Sequence, residues 1–461
     1  MRYISTRGKA PTLNFEAIVT SGLASDGGLY VPETIPELAE EKIQSWKGLS
    51  YQELAVEVML PFVDECLDRD ALTKLVNKSY STFRAPDVAP LKKLSDNTYV
   101  LELFHGPTLA FKDFALQFLG NVLDYVLDKR QENVVIVGAT SGDTGSAAIA
   151  GCQHCKHVQL FMLHPFGRVS NVQRHQMTTI LSNNIHNISI DSHFDDCQDM
   201  VKSMFRNGDF IDYPLVAVNS INWTRIMAQI VYYFYAALQL GAPEKPVSFS
   251  VPTGNFGDIF AGYIAHRMGL PINKLIVATN SNDILHRFFS NNDYRKTGVD
   301  PTLSPSMDIQ ISSNFERLLF ELYNRDGASI ERLMDDFSTS GKLTASDEVM
   351  TKAQQLFDSA KADDNTIRSV IRSTYDDNNY ITDPHTATGI HAARECHKDN
   401  TPVIVLSTAH PAKFPDVAQE VLNITPPLPE HLNDLLDRDE HYDQLPNNLE
   451  KVKSYITEKL Q

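Results

Sequence analysis

One lysine of the chain lies in a setting that favours covalent chemistry. Lys112 follows Phe111 within the run 102–114, just before a helical pattern begins, and it is the only lysine or arginine of that run. Apolar surroundings disfavour the ammonium form and lower the pKa of a lysine, which leaves a neutral amine able to attack an aldehyde. Most buried lysines are instead ion-pair partners or snorkelling stems, so the residues around Lys112 decide the interpretation.

Two glycine-containing loops could bind anions. Each follows a β-branched strand pattern and precedes a helical one, an order that aims free backbone N–H groups at an anion. The first loop contains Ser141, Gly142, Asp143 and Thr144; the second contains Gly254, Asn255, Phe256 and Asp258. Neither matches the phosphate-loop or dinucleotide pattern. Two anion loops and a desolvated lysine imply two anionic groups and one aldehyde, which pyridoxal phosphate and an amino-acid carboxylate would supply.

Eight segments in family order resemble threonine synthase, a pyridoxal-phosphate-dependent family, over nearly the whole chain. They are Gly27–Pro32, His105–Asp113, Ser141–Gly145, Gly167–Ser170 with Gln176 and Met177, Phe194–Gln198, Gly254–Asp258, Ser304–Ile309 and Ser407–Phe414. Eight such segments in order are hard to produce by chance. The resemblance is to the longer branch of the family.

The resemblance implies an α/β fold of the type II pyridoxal-phosphate class, similar to the tryptophan synthase β subunit. Parallel sheets flanked by helices are then expected, with an N-terminal accessory domain. We expect three domains, which agrees with the length of 461 residues. They are an N-terminal domain at 1–95, a small α/β domain at 96–220, and a large α/β domain at 221–461 with a helical insertion at about 305–400 and a C-terminal tail.

The resemblance also implies a role for each site residue. Lys112 would carry the cofactor and catalyse proton transfers. The cofactor phosphate would be held by Gly254, Asn255 and Phe256, with Asp258 close by, and the pyridine nitrogen by Thr408. The substrate carboxylate would be held by Ser141, Gly142, Asp143 and Thr144. Arg168 and Lys413, each shortly after a predicted strand, are the candidate cations for the substrate phosphate.

The implied reaction converts O-phospho-L-homoserine and water to L-threonine and phosphate, a β,γ-replacement that ends threonine biosynthesis. A phospho-lyase of the same family would instead give 2-oxobutyrate, phosphate and ammonia, and the sequence does not separate the two. A non-catalytic metabolite-binding protein is a remote alternative, because such a protein would be expected to have lost Lys112 or a glycine loop.

The amino-acid composition and charge limit the classes of partner that the protein could bind. The formal charge of −17 argues against a nucleic-acid partner, which would need a basic face. Residues 1–10 lack an apolar signal region, and the longest strongly apolar helical stretch, at 230–240, is too short to cross a bilayer. We therefore expect a cytoplasmic enzyme without a membrane partner, acting on a small molecule as a monomer or homodimer.

Five cysteines form an odd set, which argues against disulfides. Cys152 and Cys155 have the spacing of a zinc or redox pair, and Cys396 with His397 could complete a metal site. The pair falls on a predicted helix and no second close pair exists, so we expect a structural role and no metal.

The pattern from 133 to 280 alternates strand and helix, which predicts a parallel sheet with ligands at the carboxyl ends of its strands. Further helices are predicted at 38–47 and 52–66 and after Lys112. The later chain predicts helices at 308–322, 330–337 and 346–360, a last strand at 403–406, and an amphipathic tail after a proline-rich linker.

Overall fold

The computed structural model describes residues 1–63, 65–206, 210–217 and 219–461. A small N-terminal sheet precedes two mainly parallel sheets, and helices cover both faces of each. One large hydrophobic core joins the N-terminal region to both parallel sheets. Within the described residues, no helix is both long and apolar enough to cross a membrane.

The N-terminal region consists of a three-stranded antiparallel sheet, in the order β2-β1-β3, and four helices. Its elements are β1 (Arg2–Ser5), β2 (Leu13–Asn14), α1 (Phe15–Thr20), β3 (Tyr30–Pro32), α2 (Glu40–Gln44), α3 (Tyr51–Val63) and α4 (Arg69–Tyr80). The helices predicted at 38–47 and 52–66 are confirmed as α2 and α3, both shorter than expected.

The larger sheet has six strands in the order β14-β11-β10-β15-β5-β4, and only β4 and β5 pair antiparallel. Its strands are β4 (Leu91–Lys93), β5 (Thr98–Glu102), β10 (Val247–Pro252), β11 (Ile272–Thr279), β14 (Phe357–Lys361) and β15 (Val403–Ser407). Every residue of β10 is buried, as expected for a parallel strand covered by helices on both faces.

The smaller sheet has five parallel strands in the order β16-β8-β7-β6-β9. Its strands and their connecting helices are β6 (Val134–Ala139), α6 (Asp143–Cys152), β7 (Val158–Pro165), α7 (Asn171–Thr178), β8 (Ile185–Ile190), α8 (Phe194–Arg206), β9 (Leu215–Val216) and β16 (Asp443–Leu445). The alternating pattern is therefore confirmed, although its strands divide between two sheets. Residues 207–209 and 218 of the pattern predicted at 133–280 lie outside the described residues.

The remaining elements are mostly helices of the large sheet and its insertion. They are α5 (Lys112–Arg130), α9 (Trp223–Gln239), α10 (Gly257–Arg267), α11 (Ile284–Asn291), β12 (Tyr294–Arg295), α12 (Phe315–Leu322), α13 (Gly327–Ser340), β13 (Lys342–Leu343), α14 (Asp347–Leu356), α15 (Asp364–Asn378), α16 (Pro384–Cys396), α17 (Pro415–Leu422) and α18 (Leu449–Lys459).

Three predictions for the later chain are wrong in part. The helix predicted at 308–322 begins only at α12. Before it, Asp308 accepts hydrogen bonds from another loop, and Ser312 donates one to a further loop. The helix predicted at 346–360 ends with α14, since the next residues pair with β11 as the edge strand β14. The strand predicted at 403–406 is β15, but β16 follows it.

Each of the two larger sheets contains a strand from outside the domain range predicted for it. β5 lies within 96–220 but pairs with β15 of the larger sheet. β16 lies within 221–461 but pairs with β8 of the smaller sheet. The C-terminal tail thus leaves the larger sheet and ends on the smaller one, where Val452 and Ile456 of α18 join its core.

Two glycines allow α5 and α6 to touch through their backbones. A Cβ atom on Gly120 of α5 would overlap the carbonyl oxygen of Gly151, and one on Gly151 would overlap that of Leu116. The buried thiol of Cys155, just beyond α6, donates to the Gly120 carbonyl at 3.4 Å. Cys152 and Cys155 are free thiols packed in this contact. Because α5 begins at Lys112 and α6 at Asp143, the contact fixes the spacing of these two residues.

We expect Gly151→Ala to lower the urea midpoint of unfolding by an amount equivalent to about 1 to 3 kcal/mol, since a methyl group would force the two helices apart. Circular dichroism across a urea series measures the shift. The control is Gly22→Ala, whose methyl group would meet only the end of the Asn219 side chain, at 3.2 Å. An unchanged midpoint for Gly151→Ala would contradict the backbone contact.

Candidate active site

The start of α5 is fixed to the end of β15. Phe111 donates its backbone N–H to the Thr408 carbonyl at 2.9 Å, and Ala110 forms a bridge with Ala409. Just before them, Leu109 has a left-handed backbone with φ of 60°, which is unusual for a bulky residue. This turn brings Lys112 to the carboxyl end of the larger sheet.

Asp143 is the centre of the site. Its Oδ2 lies 3.3 Å from Lys112 Nζ and accepts a hydrogen bond from Ser306 Oγ at 3.2 Å. Its Oδ1 lies 2.7 Å from Lys413 Nζ and accepts from Gln173 Nε2 at 2.7 Å. The carboxylate therefore joins residues from four separate parts of the chain, and all of its partners are donors.

Burial and charge set the protonation of this cluster. Burial lowers the pKa of Lys112, and the charges of Lys413 and Arg225 lower it further, while Asp143 opposes them. Burial alone would raise the pKa of Asp143, but Lys413 and Lys112 hold it well below its usual range. The site thus keeps a carboxylate ionised beside an amine that loses its proton more readily than an ordinary lysine.

Lys413 is completely buried, with a side-chain exposure of 0%. Besides Asp143 it donates to the Thr108 carbonyl at 2.7 Å, and Gln176 donates to the same oxygen at 3.0 Å. Asp113 accepts from both the N–H and the hydroxyl of Thr108. Two of the three ammonium hydrogens of Lys413 are therefore committed, one to Asp143 and one to the Thr108 carbonyl in the loop before Lys112.

The second glycine loop connects β10 to α10 and leaves its backbone N–H groups free. The Gly254 carbonyl accepts from Ser312 Oγ at 2.7 Å, and the Asn255 carbonyl accepts from Asn314 Nδ2 at 2.8 Å. In the described part of the chain, the N–H groups of Gly254, Asn255 and Phe256 donate to no protein atom. Phe256 has φ of 61°. These features fit an anion at the start of α10.

The first glycine loop connects β6 to α6 in a similar way. Gly142 has φ of 143°, and a Cβ atom there would lie 2.6 Å from the Gln173 side chain. Thr140 Oγ1 accepts from the N–H groups of Gly142 and Gly145. Ser141 is exposed and Thr144 half-buried, and the hydroxyls of both are without a partner among the described residues. They are available to a ligand at the start of α6.

Thr408 and Asp258 differ in what they offer. Thr408 follows β15 and is 5% exposed, and its hydroxyl has no partner among the described residues. The Asp258 carboxylate instead accepts from Tyr232 and Tyr233 of α9, and burial raises its pKa to about 7. Oδ1 of Asp258, in the first turn of α10, is therefore committed to the two tyrosines, while its buried Oδ2 has no partner in the described chain.

Arg168 does not join this cluster. Its side chain is exposed and forms no ion pair with any residue that the structure describes. It lies in the loop that follows β7, at the same end of the smaller sheet as the first glycine loop.

Arg225 is a cation that the sequence did not reveal as part of the site. It lies in the first turn of α9, is 5% exposed, and donates from Nη1 to the Asn219 carbonyl at 2.7 Å. Its Nε has no partner in the described chain, and burial lowers its pKa to about 10. A cation in the first turn of a helix opposes the helix dipole, and this is the signal by which it could have been found.

The cluster fits pyridoxal phosphate. The amine of Lys112, with its lowered pKa, suits condensation with the aldehyde of the cofactor. The N–H groups at Gly254–Phe256, which donate to no described protein atom, suit its phosphate. A Cβ atom at Gly254 would approach the Ser306 carbonyl oxygen to 2.9 Å, so only glycine leaves this room. Within the described residues, no group of three or more histidine, cysteine or acidic side chains could hold a metal ion.

Three family models match the chain in succession. Residues 2–80 match "Threonine synthase N terminus", residues 82–408 match "Pyridoxal-phosphate dependent enzyme", and residues 386–456 match "Threonine synthase, C-terminal". The central match contains Lys112, both glycine loops and Thr408.

Similar proteins carry the same name. The threonine synthase of Pseudomonas aeruginosa is 58% identical over 99% of this chain and 98% of its own. The structure of pyridoxal-phosphate-bound threonine synthase from Brucella melitensis is 49% identical, with a TM-score of 0.98 over 100% of this chain and 99% of that one. The structure of yeast threonine synthase is 41% identical, with a TM-score of 0.94 over 100% and 98%. The fold is that of type II pyridoxal-phosphate enzymes, and the chain belongs to the threonine synthase family.

Proposed function

We propose that the protein converts O-phospho-L-homoserine and water to L-threonine and inorganic phosphate. The observation that carries this proposal is the amine of Lys112, whose side chain is only 12% exposed and which lies 3.3 Å from a carboxylate at the start of α6. Two loops that can accept anions open at the same ends of the parallel strands. Family membership supports the same reaction. We place it in the cytoplasm, with a small polar substrate.

Five residues would hold the cofactor. Lys112 would bind its aldehyde, the backbone of Gly254, Asn255 and Phe256 its phosphate, and the Thr408 hydroxyl its pyridine nitrogen. When bound, pyridoxal phosphate supplies an electron sink for the negative charge that develops on the substrate carbons. A hydroxyl does not require a protonated pyridine, so Thr408 leaves the strength of that sink moderate.

The start of α6 would bind the substrate carboxylate. Ser141 and Thr144 offer hydroxyls without a partner among the described residues, and Thr140 fixes the backbone of Gly142 by accepting its N–H. Asp143 does not repel the substrate there, because its charge is compensated by Lys413 at 2.7 Å and by the nearby Lys112. The same carboxylate supports the proton transfers, since it can stabilise Lys112 whenever the amine takes up a proton.

The substrate phosphate needs cations that the protein does not neutralise itself. Arg225 fits this requirement best, because it is buried without a carboxylate partner among the described residues. Lys413 has one donor left after its bonds to Asp143 and Thr108. Arg168 remains a candidate at the exposed rim. Local cations are necessary because the net charge of −17 repels anions at long range.

Lys112→Ala tests both the reaction and the lysine assignment. The wild-type protein should release threonine and phosphate in equal amounts from O-phospho-L-homoserine, and borohydride should fix the cofactor to the Lys112 peptide. The Lys112→Ala variant should neither release the two products nor retain the cofactor after borohydride treatment, because it lacks the amine that binds the aldehyde. Lys93→Ala, at an exposed ion pair with Asp96, is the control. Release of 2-oxobutyrate and ammonia in place of threonine would contradict the proposed reaction, and a label on Lys413 would contradict the site.

Arginine-to-lysine changes test the phosphate cations. We expect Arg225→Lys to lower kcat/KM for O-phospho-L-homoserine roughly 30- to 1000-fold, equivalent to about 2 to 4 kcal/mol, because the planar fork is lost. Arg168→Lys, at an exposed position, should cost less. Binding of the cofactor should survive in both, since Gly254 and its neighbours hold the other phosphate. If Arg168→Lys proved the more damaging, the substrate phosphate would lie at the rim.

The charges around Lys112 predict opposite shifts in a pH profile. The rate of cofactor attachment should rise with pH as Lys112 loses its proton. Asp143→Asn removes the charge that stabilises the ammonium, so the midpoint should move to lower pH. Lys413→Met removes a charge that disfavours the ammonium, so the midpoint should move to higher pH. Stopped-flow absorbance across a pH series measures both.

Each of these variants removes one partner of the buried ion pair between Asp143 and Lys413, which costs about 3 to 5 kcal/mol of stability. The double variant Asp143→Asn with Lys413→Met avoids this and should have an intermediate midpoint. Asp195→Asn, at an exposed position of α8, is the control. Shifts in the same direction for both single variants would show that Asp143 and Lys413 do not control the amine electrostatically.

A further inference from the structure

Ser306 lies within reach of the amine of Lys112. Its Oγ is 3.4 Å from Lys112 Nζ and donates to Asp143 Oδ2 at 3.2 Å, while Nζ and Oδ2 are 3.3 Å apart. A hydroxyl has one hydrogen, and an ionised carboxylate can only accept. The hydrogen of Ser306 is therefore taken by Asp143, and an oxygen lone pair faces the amine.

These two contacts determine where the lone pair of the neutral Lys112 amine points. A neutral amine has two hydrogens and one lone pair. Ser306 Oγ and Asp143 Oδ2 are two acceptors on the same side of Lys112 Nζ, and each can take one hydrogen. We propose that Ser306, held by His385 and Asp383, orients the amine of Lys112 so that its lone pair faces the incoming carbonyl carbon. The inference rests on the proposed function and deepens it.

His385 holds the backbone of Ser306. Its Nε2 accepts the Ser306 N–H at 3.2 Å, and its Nδ1 lies 2.9 Å from Asp383 Oδ1. Since Asp383 accepts, Nδ1 carries the hydrogen and Nε2 keeps its lone pair for Ser306. His385 is 3% exposed and Asp383 is 1% exposed. The two residues act through Ser306, so they are positioning residues.

The segment of Ser306 is fixed on its other sides as well. It forms a single 3-10 turn, Pro305–Met307, and the Asn280 side chain donates to the Ser304 carbonyl and hydroxyl before it. The tight approach of Gly254 to the Ser306 carbonyl, noted above, joins this turn to the anion loop. The position of the hydroxyl is therefore set relative to both Lys112 and the phosphate of a bound cofactor.

Attachment kinetics test the proposal without measuring turnover. In the full-length protein freed of cofactor, attachment forms a bond between Lys112 Nζ and the aldehyde carbon of added pyridoxal phosphate. The carbonyl oxygen leaves as water with the two hydrogens of the amine. The dependence of the rate on cofactor concentration gives a maximal rate, which reports on the amine, and a half-saturation value, which reports on the anion loop.

We expect Ser306→Ala to lower the maximal rate by up to about 100-fold, the cost of a misoriented reacting group, with little change in half-saturation. Ser306→Thr retains the hydroxyl and should recover most of the rate. His385→Gln keeps an acceptor for the Ser306 N–H, and it should attach cofactor faster than His385→Ala. Ser290→Ala, at an exposed serine of α11, should behave as wild type.

The outcomes separate this inference from the proposed reaction. A Ser306→Ala variant with the wild-type maximal rate would overturn the inference, even if the wild type forms threonine. An equal fall in Ser306→Ala and Ser306→Thr would also overturn it, because the hydroxyl would then be irrelevant. A wild type that forms no threonine, yet shows the expected attachment rates, would leave the orientation intact and overturn only the reaction.

Discussion

The candidate active site depends on one buried carboxylate held between the buried amine of Lys413 and the half-buried amine of Lys112. Asp143 lies 2.7 Å from Lys413 and 3.3 Å from Lys112. Breaking such a pair by removing one partner leaves an uncompensated charge, which is far more costly than the net stabilisation that the pair provides. The helices and loops that carry these groups must therefore stay in register. The backbone contact between α5 and α6 meets this demand, because glycine carbonyls rather than flexible side chains set the spacing.

The residues that the sequence revealed are those with a local signature. Lys112 and the two glycine loops stand beside recognisable strand and helix patterns, so both their identity and their position at strand ends could be predicted. Ser306 and His385 could not be found from pattern alone. Ser306 approaches Lys112 across 194 positions of sequence and is held by His385 79 positions later, and no periodicity encodes such distances.

The errors have a related cause. The helix predicted at 308–322 failed because polar side chains of its first half bind loops that are remote in sequence, including the Gly254 carbonyl. Strand β14 was read as the end of a helix because an edge strand needs only one partner, and β11 provides it. In both cases, tertiary hydrogen bonds decide the conformation over local propensity.

The C-terminal tail extends this coupling between the two sheets. Glu440 accepts two hydrogen bonds from Arg174, at 2.7 and 2.9 Å, and a third from Thr178, all on α7. The same helix supplies Gln173 to Asp143 and Gln176 to the Thr108 carbonyl. The tail also packs two leucines against Leu109 and Val172. A segment remote from the chemistry thus fixes the helix that completes the Asp143 cluster.

The balance of charge in the candidate site favours anions. Asp143 compensates Lys413, but Arg225 has no carboxylate partner among the described residues, and burial lowers its pKa to about 10. A buried cation without a partner reduces stability. Under the proposed function, anions bound at the two helix starts and beside Arg225 would recover that loss, which would link ligand binding to folding stability. An acidic protein would in this way hold the two phosphates and the carboxylate of the proposed reaction at a single site, because the positive charge is concentrated where it is shielded from the rest of the molecule.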